Sequence, residues 1–201
     1  MAEKGGEGVE TLRLLYVCTG NTCRSPMAAA LTEQLAGQLN VPFRLQTRSR
    51  GLYAVDGDPM SVHAQAALAE QGVTAEHRAA MLEEEDLEWA DLVLTMTFQH
   101  KRFLWEAFPA YQDKTFTLKE YIRELENSVH NKIPAASENE TEAPADFSWE
   151  YLTNYFSSLD VRDPYGGDLE DYRQTRDELA ASIRRLLELL AATVDARENR
   201  I

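Results

Sequence analysis

The sequence predicts an α/β fold, a parallel sheet covered by helices on both faces, and three observations predict it. Short apolar runs of strand length alternate with helical stretches along most of the chain. The runs are bounded by turn and cap residues that start and stop helices. The last long stretch carries Leu169, Tyr172, Leu179, Ile183, Leu186, Leu187 and Leu190, an apolar stripe at helical spacing. Strands separated by helices must run parallel, because each helix carries the chain back to the same end of the sheet.

The elements follow in order. Leu12–Val17 (LRLLYV) is a buried strand, and Ser25–Leu39 a helix with Pro26 in its first turn. Phe43–Thr47 alternates as a second strand. Asp58-Pro59 is expected to cap and begin the next helix, which Gly72 ends. Leu92–Met96 is a third strand, Thr97–Ala107 a helix, Lys114–Thr117 a weak fourth strand and Leu118–Glu126 a helix. The final helix is expected over about Asp168–Val194. The run Glu83–Asp86 reads as a solvated helix face.

With 201 residues and 44% apolar content, one domain with a proper core is expected, over residues 12–195. Met1–Glu10 is polar and Gly-rich, so residues 1–11 read as a disordered tail rather than a signal peptide, and 196–201 as a C-terminal tail. Residues 124–160 break the pattern with Pro134, Pro144 and the acidic stretch SENETEAPAD. They are expected to form a surface insertion. Phe147, Trp149, Tyr151, Leu152, Tyr155 and Phe156 close it as an aromatic cluster, read as a short helix packing on the domain.

Charge and cysteine usage narrow the function. A net charge of −14 argues against a nucleic-acid partner, which needs a basic footprint. No apolar run reaches membrane-spanning length, so no membrane partner is expected. Cys18 and Cys23 are the two cysteines, too close together to staple the fold, which suits a reducing cytoplasm and a reactive role. His63, His100 and His130 show no ligand spacing, and no metal is expected.

Chemistry concentrates in Cys18-Thr19-Gly20-Asn21-Thr22-Cys23-Arg24-Ser25, directly between a strand and a helix. Such a loop can turn its backbone N–H groups inward and, with the helix N-terminus, form a nest for an anion. A positive field of that kind favours the thiolate, the form in which cysteine acts as nucleophile. Gly20 permits backbone geometry that other residues resist. Arg24 offers two parallel hydrogen bonds to a phosphoryl group. Ser25 can donate to the Cys18 sulfur, and Asn21 can hold the loop. Asp163, in Asp163-Pro164-Tyr165-Gly166-Gly167, is the candidate general acid on a tight turn, with Tyr165 as a pocket wall. Cys23 is expected to form a reversible disulfide with Cys18 under oxidation.

The segment LLYVCTGNTCRSPMAAAL resembles the phosphate-binding loop of the low-molecular-weight protein tyrosine phosphatases. TRSRG, ADLVLTMTFQHK, FTLKEY and RDPYGG follow in that family's order, and within it the chain is most similar to the bacterial branch that dephosphorylates protein arginine. The resemblance implies a three-layer α/β sandwich with a four-stranded parallel sheet and no cofactor. It implies phosphorylated proteins as substrates and supporting roles for Ser49 and His77 beside the loop and its Asn21. Arg50 stands where that family usually has a small residue. Thr22 and Tyr165 are the substrate-selecting positions: the Thr22 hydroxyl can meet a guanidino group, where tyrosine-directed members often carry Ile. Two other readings stay open, a phosphotyrosine phosphatase and a phosphate-binding module without turnover. Arsenate reduction through a cysteine relay lacks its further cysteine, since none follows Cys23.

Overall fold

The computed structural model describes residues 11–130 and 155–198, and the side chains of 11–128 and 155–194. The elements are β1 (Thr11–Cys18), α1 (Arg24–Leu39), β2 (Arg44–Gly51), α2 (Val62–Ala69), α3 (Glu84–Trp89), β3 (Leu92–Thr95), α4 (Phe98–Ala107), a 3-10 helix at Pro109–Lys114, β4 (Thr115–Thr117), α5 (Leu118–His130) and α6 (Leu169–Glu198). The four strands pair in the order β2-β1-β3-β4, all parallel.

Strand period 2 divides the core. Leu14 and Tyr16 of β1 point to the face covered by α1, α2, α5 and α6, where they meet Met27, Leu31, Leu68, Ile122, Leu179 and Ile183. Leu15 and Val17 point to the other face, against Leu52, Leu82, Leu87, Val93 and Leu104. The two layers of helix follow from a central strand that is apolar on both sides.

Several boundaries differ from expectation, each for a tertiary reason. β2 extends to Gly51 because every residue of β1 from Thr11 to Cys18 pairs with it, Cys18 opposite Gly51. The polar RSRG end hides that pairing in the sequence. The second helix starts at Val62, not at Asp58-Pro59. The backbone there is committed elsewhere: Gly57 N–H donates to Ala79 O at 2.8 Å and Ala79 N–H to Asp58 O at 2.8 Å. Ser61 caps α2 instead, accepting from Ala64 N–H at 3.2 Å. α5 continues to His130 and α6 to Glu198, beyond the expected ends.

Of the Glu83–Asp86 run, Glu83 caps α3 and Glu84–Asp86 form its first turn, but the run is not simply solvated. Asp86 is buried and accepts from Arg50 Nε at 2.7 Å and Arg48 Nη1 at 3.3 Å. Of the aromatic cluster, Phe147, Trp149, Tyr151 and Leu152 lie outside the described residues, as do the two tails apart from Thr11 and 196–198. Phe156 stacks on Phe98 of α4 with ring centroids 4.2 Å apart, so this end of the segment packs on the domain. Among the described residues, no helix is long and apolar enough to cross a membrane.

Candidate active site

The loop from Cys18 to Ser25 joins the carboxyl end of β1 to the first turn of α1, the place where ligands of parallel sheets bind. Its shape is set from both sides. Leu52 N–H donates to Cys18 O and Tyr53 N–H to Thr19 O, each at 2.9 Å, and Ser61 N–H donates to Thr22 O at 2.9 Å. Cys23 is the N-cap of α1 and gives no side-chain cap, which leaves the helix's first N–H groups for another acceptor.

Asn21, not Gly20, takes the left-handed conformation, with φ +54°. A Cβ at Gly20 would meet only Thr22 Oγ1, at 3.7 Å. Asn21 can hold this conformation because its buried side chain is fully engaged. Its Nδ2 donates to Ser25 Oγ at 2.9 Å and Ser49 Oγ at 3.0 Å, and its Oδ1 accepts from Ala80 N–H at 3.0 Å. His77 Nε2–H donates to Asn21 O at 2.7 Å. Burial pushes the His77 pKa down, the bond to Asn21 opposes this, and the Arg50 charge adds to it. The imidazole is thereby kept neutral in its Nε2–H form.

Gly51 is a residue that sequence reasoning missed. A Cβ there would stand 2.7 Å from Thr19 O and 2.9 Å from Asn21 N. Any side chain would push the loop off β2. Its signal was the RSRG run, once that run is read as strand. Arg50 is turned away from the site, with Nε on Asp86 and Nη1 on Ser49 O at 2.9 Å. A larger side chain at this position therefore does not alter the cavity.

Cys18 is 3% exposed, and its Sγ lies 3.0 Å from Ser25 Oγ. Ser25 has one hydrogen and two acceptors in reach, this sulfur and Arg50 O at 3.3 Å. Arg24 is buried, and its Nη2 donates to Asp163 Oδ2 at 2.7 Å. Asp163 is brought in from far along the chain by a link to the sheet: Val161 N–H donates to Met96 O at 2.8 Å, just past β3. Arg162 then pairs with Asp171 of α6 at 2.5 Å. Tyr165 N–H donates to Asp163 Oδ1 at 3.2 Å, and Gly166 takes φ +80° to close the turn. Cys18, Thr19, Gly20, Thr22, Cys23, Arg24, Asp163 and Tyr165 line one cavity of about 250 Å³. Ser25, Asn21, Ser49 and His77 stand behind it and hold its shape.

Two more side chains touch this wall without having been singled out. His100, buried on α4, places Nε2 at 2.9 Å from Thr19 Oγ1. Tyr172 of α6 places its hydroxyl 3.4 Å from Cys23 Sγ. His100 had a positional signal, since it follows the carboxyl end of β3, but nothing in its neighbours reveals it. Chemically, the cavity offers a sulfur at its floor, a guanidinium and a helix N-terminus for an anion, and a carboxyl group at the rim.

A family model for the low molecular weight phosphotyrosine protein phosphatases matches residues 13–143. The chain is 40% identical over 180 residues to a protein-arginine-phosphatase of Geobacillus stearothermophilus, covering 89% of this chain and 95% of that protein. It is 30% identical over 179 residues to the low molecular weight protein-tyrosine-phosphatase PtpB of Staphylococcus aureus, covering 89% and 99%. Among solved structures, the YwlE arginine phosphatase of Geobacillus stearothermophilus superposes with a TM-score of 0.68 at 39% identity, over 90% of this chain and 94% of that one. A YwlE mutant from Bacillus subtilis gives 0.69 at 36% identity, over 89% and 98%.

Proposed function

The chain belongs to the low-molecular-weight phosphotyrosine protein phosphatase family, and on that footing we propose that it is a metal-independent protein phosphatase acting through a phosphocysteine on Cys18, with protein phosphoarginine as preferred substrate. The observation that carries this reading is the shared cavity of Cys18, Arg24 and Asp163. The protein itself supplies nucleophile, charge clamp and proton donor.

In the first step the Cys18 thiolate attacks phosphorus and the bond from phosphorus to the guanidino nitrogen breaks. Asp163 gives its proton to the departing nitrogen. Arg24 and the N-terminus of α1 hold the phosphoryl oxygens through the transition state. Asp163 Oδ2 lies 2.7 Å from Arg24 Nη2, on the guanidinium that would hold the phosphoryl group. The phosphoryl group takes that place on arriving and frees the carboxyl to act as acid. In the second step water attacks phosphorus, Asp163 takes a proton from it, and the sulfur–phosphorus bond breaks. Ser25 donates to the departing thiolate across the 3.0 Å contact.

Thr22 supports the arginine preference. It lines the cavity, and its hydroxyl can meet the N–H groups that an aliphatic side chain would leave unpaired. The relatives that are 40% and 38% identical carry the arginine-phosphatase name. Tyr165 is what favours the phosphotyrosine reading. It is 81% exposed at the rim and can stack on a phenol as well as on a guanidinium. Both cysteines are free thiols, which fits a cytoplasmic setting. The test is turnover of phosphoarginine and phosphotyrosine proteins side by side. A higher kcat/KM on phosphoarginine is expected. The reverse order would reassign the substrate, and no turnover of either would leave a phosphate-binding module.

A further inference from the structure

His100 stands outside the cavity, yet one of its nitrogens reaches the cavity wall. It sits in the first turn of α4, where its own N–H donates to the Thr97 hydroxyl at 3.2 Å. Nε2 lies 2.9 Å from Thr19 Oγ1. Nδ1 is buried and has no hydrogen-bond partner among the described residues. Thr19 Oγ1 also receives Arg24 Nη2, at 3.4 Å. Thr19 itself is exposed to the cavity.

Burial, with the Arg24 charge behind it and Asp163 opposing, holds the His100 pKa down at about 4. The ring is therefore neutral near pH 7 and carries one N–H. If that hydrogen were on Nδ1, a buried donor would have no acceptor, a costly arrangement. With the hydrogen on Nε2, the ring donates to Thr19. Thr19 Oγ1 then accepts from both His100 and Arg24, which uses its two lone pairs. Its own hydrogen is then left to be donated, and Thr19 lines the cavity of Cys18.

Building on the phosphatase reading, we propose that His100 is a positioning residue: its Nε2–H donates to Thr19 Oγ1 and so aims the Thr19 hydroxyl hydrogen at an oxygen of the phosphoryl group held over Cys18. Thr19 then adds a neutral donor to the cradle formed by Arg24 and the helix N-terminus. A donor fixed before the substrate arrives needs no reorientation during the reaction.

Two measurements on the full chain test this. Nitrogen-15 NMR of the imidazoles reads the tautomer directly, and His100 is expected to carry its proton on Nε2 between about pH 5 and pH 8. A proton on Nδ1 overturns the proposal. The second measurement is a double-mutant cycle on nitrophenyl phosphate, whose leaving group has little need of Asp163. His100→Leu and Thr19→Val are each expected to lower kcat about tenfold, the worth of one neutral hydrogen bond. The double variant is expected to lose no more than either single one. His100→Gln, which can restore an N–H near the Nε2 position, is expected to recover most of the loss. Multiplying losses, or a Gln variant as slow as the Leu one, would show that His100 is only packing. Absence of turnover by the wild-type chain is a separate outcome: it would sink the phosphatase reading and this proposal with it, whereas an Nδ1–H tautomer in an active enzyme sinks this proposal alone.

Discussion

Arg24 Nη2 and Asp163 Oδ2 lie 2.7 Å apart across 139 residues of sequence, on the wall of one cavity. Arg24 is almost wholly buried, whereas the Asp163 side chain is half exposed. A phosphate arriving at Arg24 must displace this carboxylate and overcome its repulsion. Asp163→Asn is therefore expected to bind inorganic phosphate several-fold more tightly, by calorimetry. The same variant is expected to slow turnover of a phosphopeptide far more than that of nitrophenyl phosphate, whose phenolate leaves without a proton. Equal losses on both substrates would remove Asp163 as the acid.

Cys18→Ser is expected to keep phosphate binding and to lose turnover, because the cradle survives while the nucleophile does not. Arg24→Lys is expected to fail as well, by 100-fold or so in kcat, since a lysine cannot span two phosphoryl oxygens with a planar fork. Rapid-quench trapping of a phosphocysteine on the wild-type chain checks the first half. Normal turnover by Cys18→Ser would falsify the mechanism.

Thr22→Ile is expected to lower phosphoarginine turnover sharply while leaving phosphotyrosine turnover unchanged or higher. The added methylene fills the cavity, and the lost hydroxyl leaves a guanidino N–H unpaired, at about 1–3 kcal/mol. kcat/KM on both substrates decides it. Parallel changes would show that Thr22 does not select.

Cys23 is buried at the start of α1 beside the Tyr172 hydroxyl. Burial, reinforced by Cys23, pushes the Tyr172 pKa up to about 12, so it remains a neutral phenol beside that sulfur. Peroxide is expected to convert Cys18 to a sulfenic acid, and attack by the Cys23 sulfur then to expel water and form the disulfide. Recovery of activity by added thiol is expected to be efficient in the wild-type chain and poor in Cys23→Ser. The same recovery in both would rule out protection by Cys23.

Acid stability carries the mark of His100. In the unfolded chain its imidazole takes up a proton near its ordinary value of 6.5, and in the folded chain only near about 4. Between those values the unfolded state binds more protons, so stability falls as pH drops through that window and is unaffected above it. The half-buried His77, also shifted down, acts in the same direction. The urea midpoint of the wild-type chain is expected to fall more steeply over this range than that of His100→Gln. Parallel curves would mean that His100 titrates as in water.

The sequence by itself determined the fold class and the loop. Strand, loop and helix are consecutive, so the path from Cys18 to Ser25 is set by residues that are already neighbours. An Asp-Pro turn before a helix is common, so Asp163 was readable only beside the cysteine loop, whose chemistry needs a proton donor. What surrounds the loop was decided only by tertiary structure. Gly51 matters because β2 pairs with β1 to its last residue, and the polar RSRG run carries no periodicity that announces a strand. The start of α2 moved to Val62 because Asp58 had given its carbonyl to Ala79, a partner that no local rule supplies. His100, Tyr172 and Asp86 reach their partners across 81, 149 and 36 residues, through the packing of α4 and α3 on the sheet and of α6 on α1 and α2. Local chain chemistry fixes which atoms can react. The burial that keeps His100 neutral and the contacts that aim Asp163 exist only once distant elements have packed.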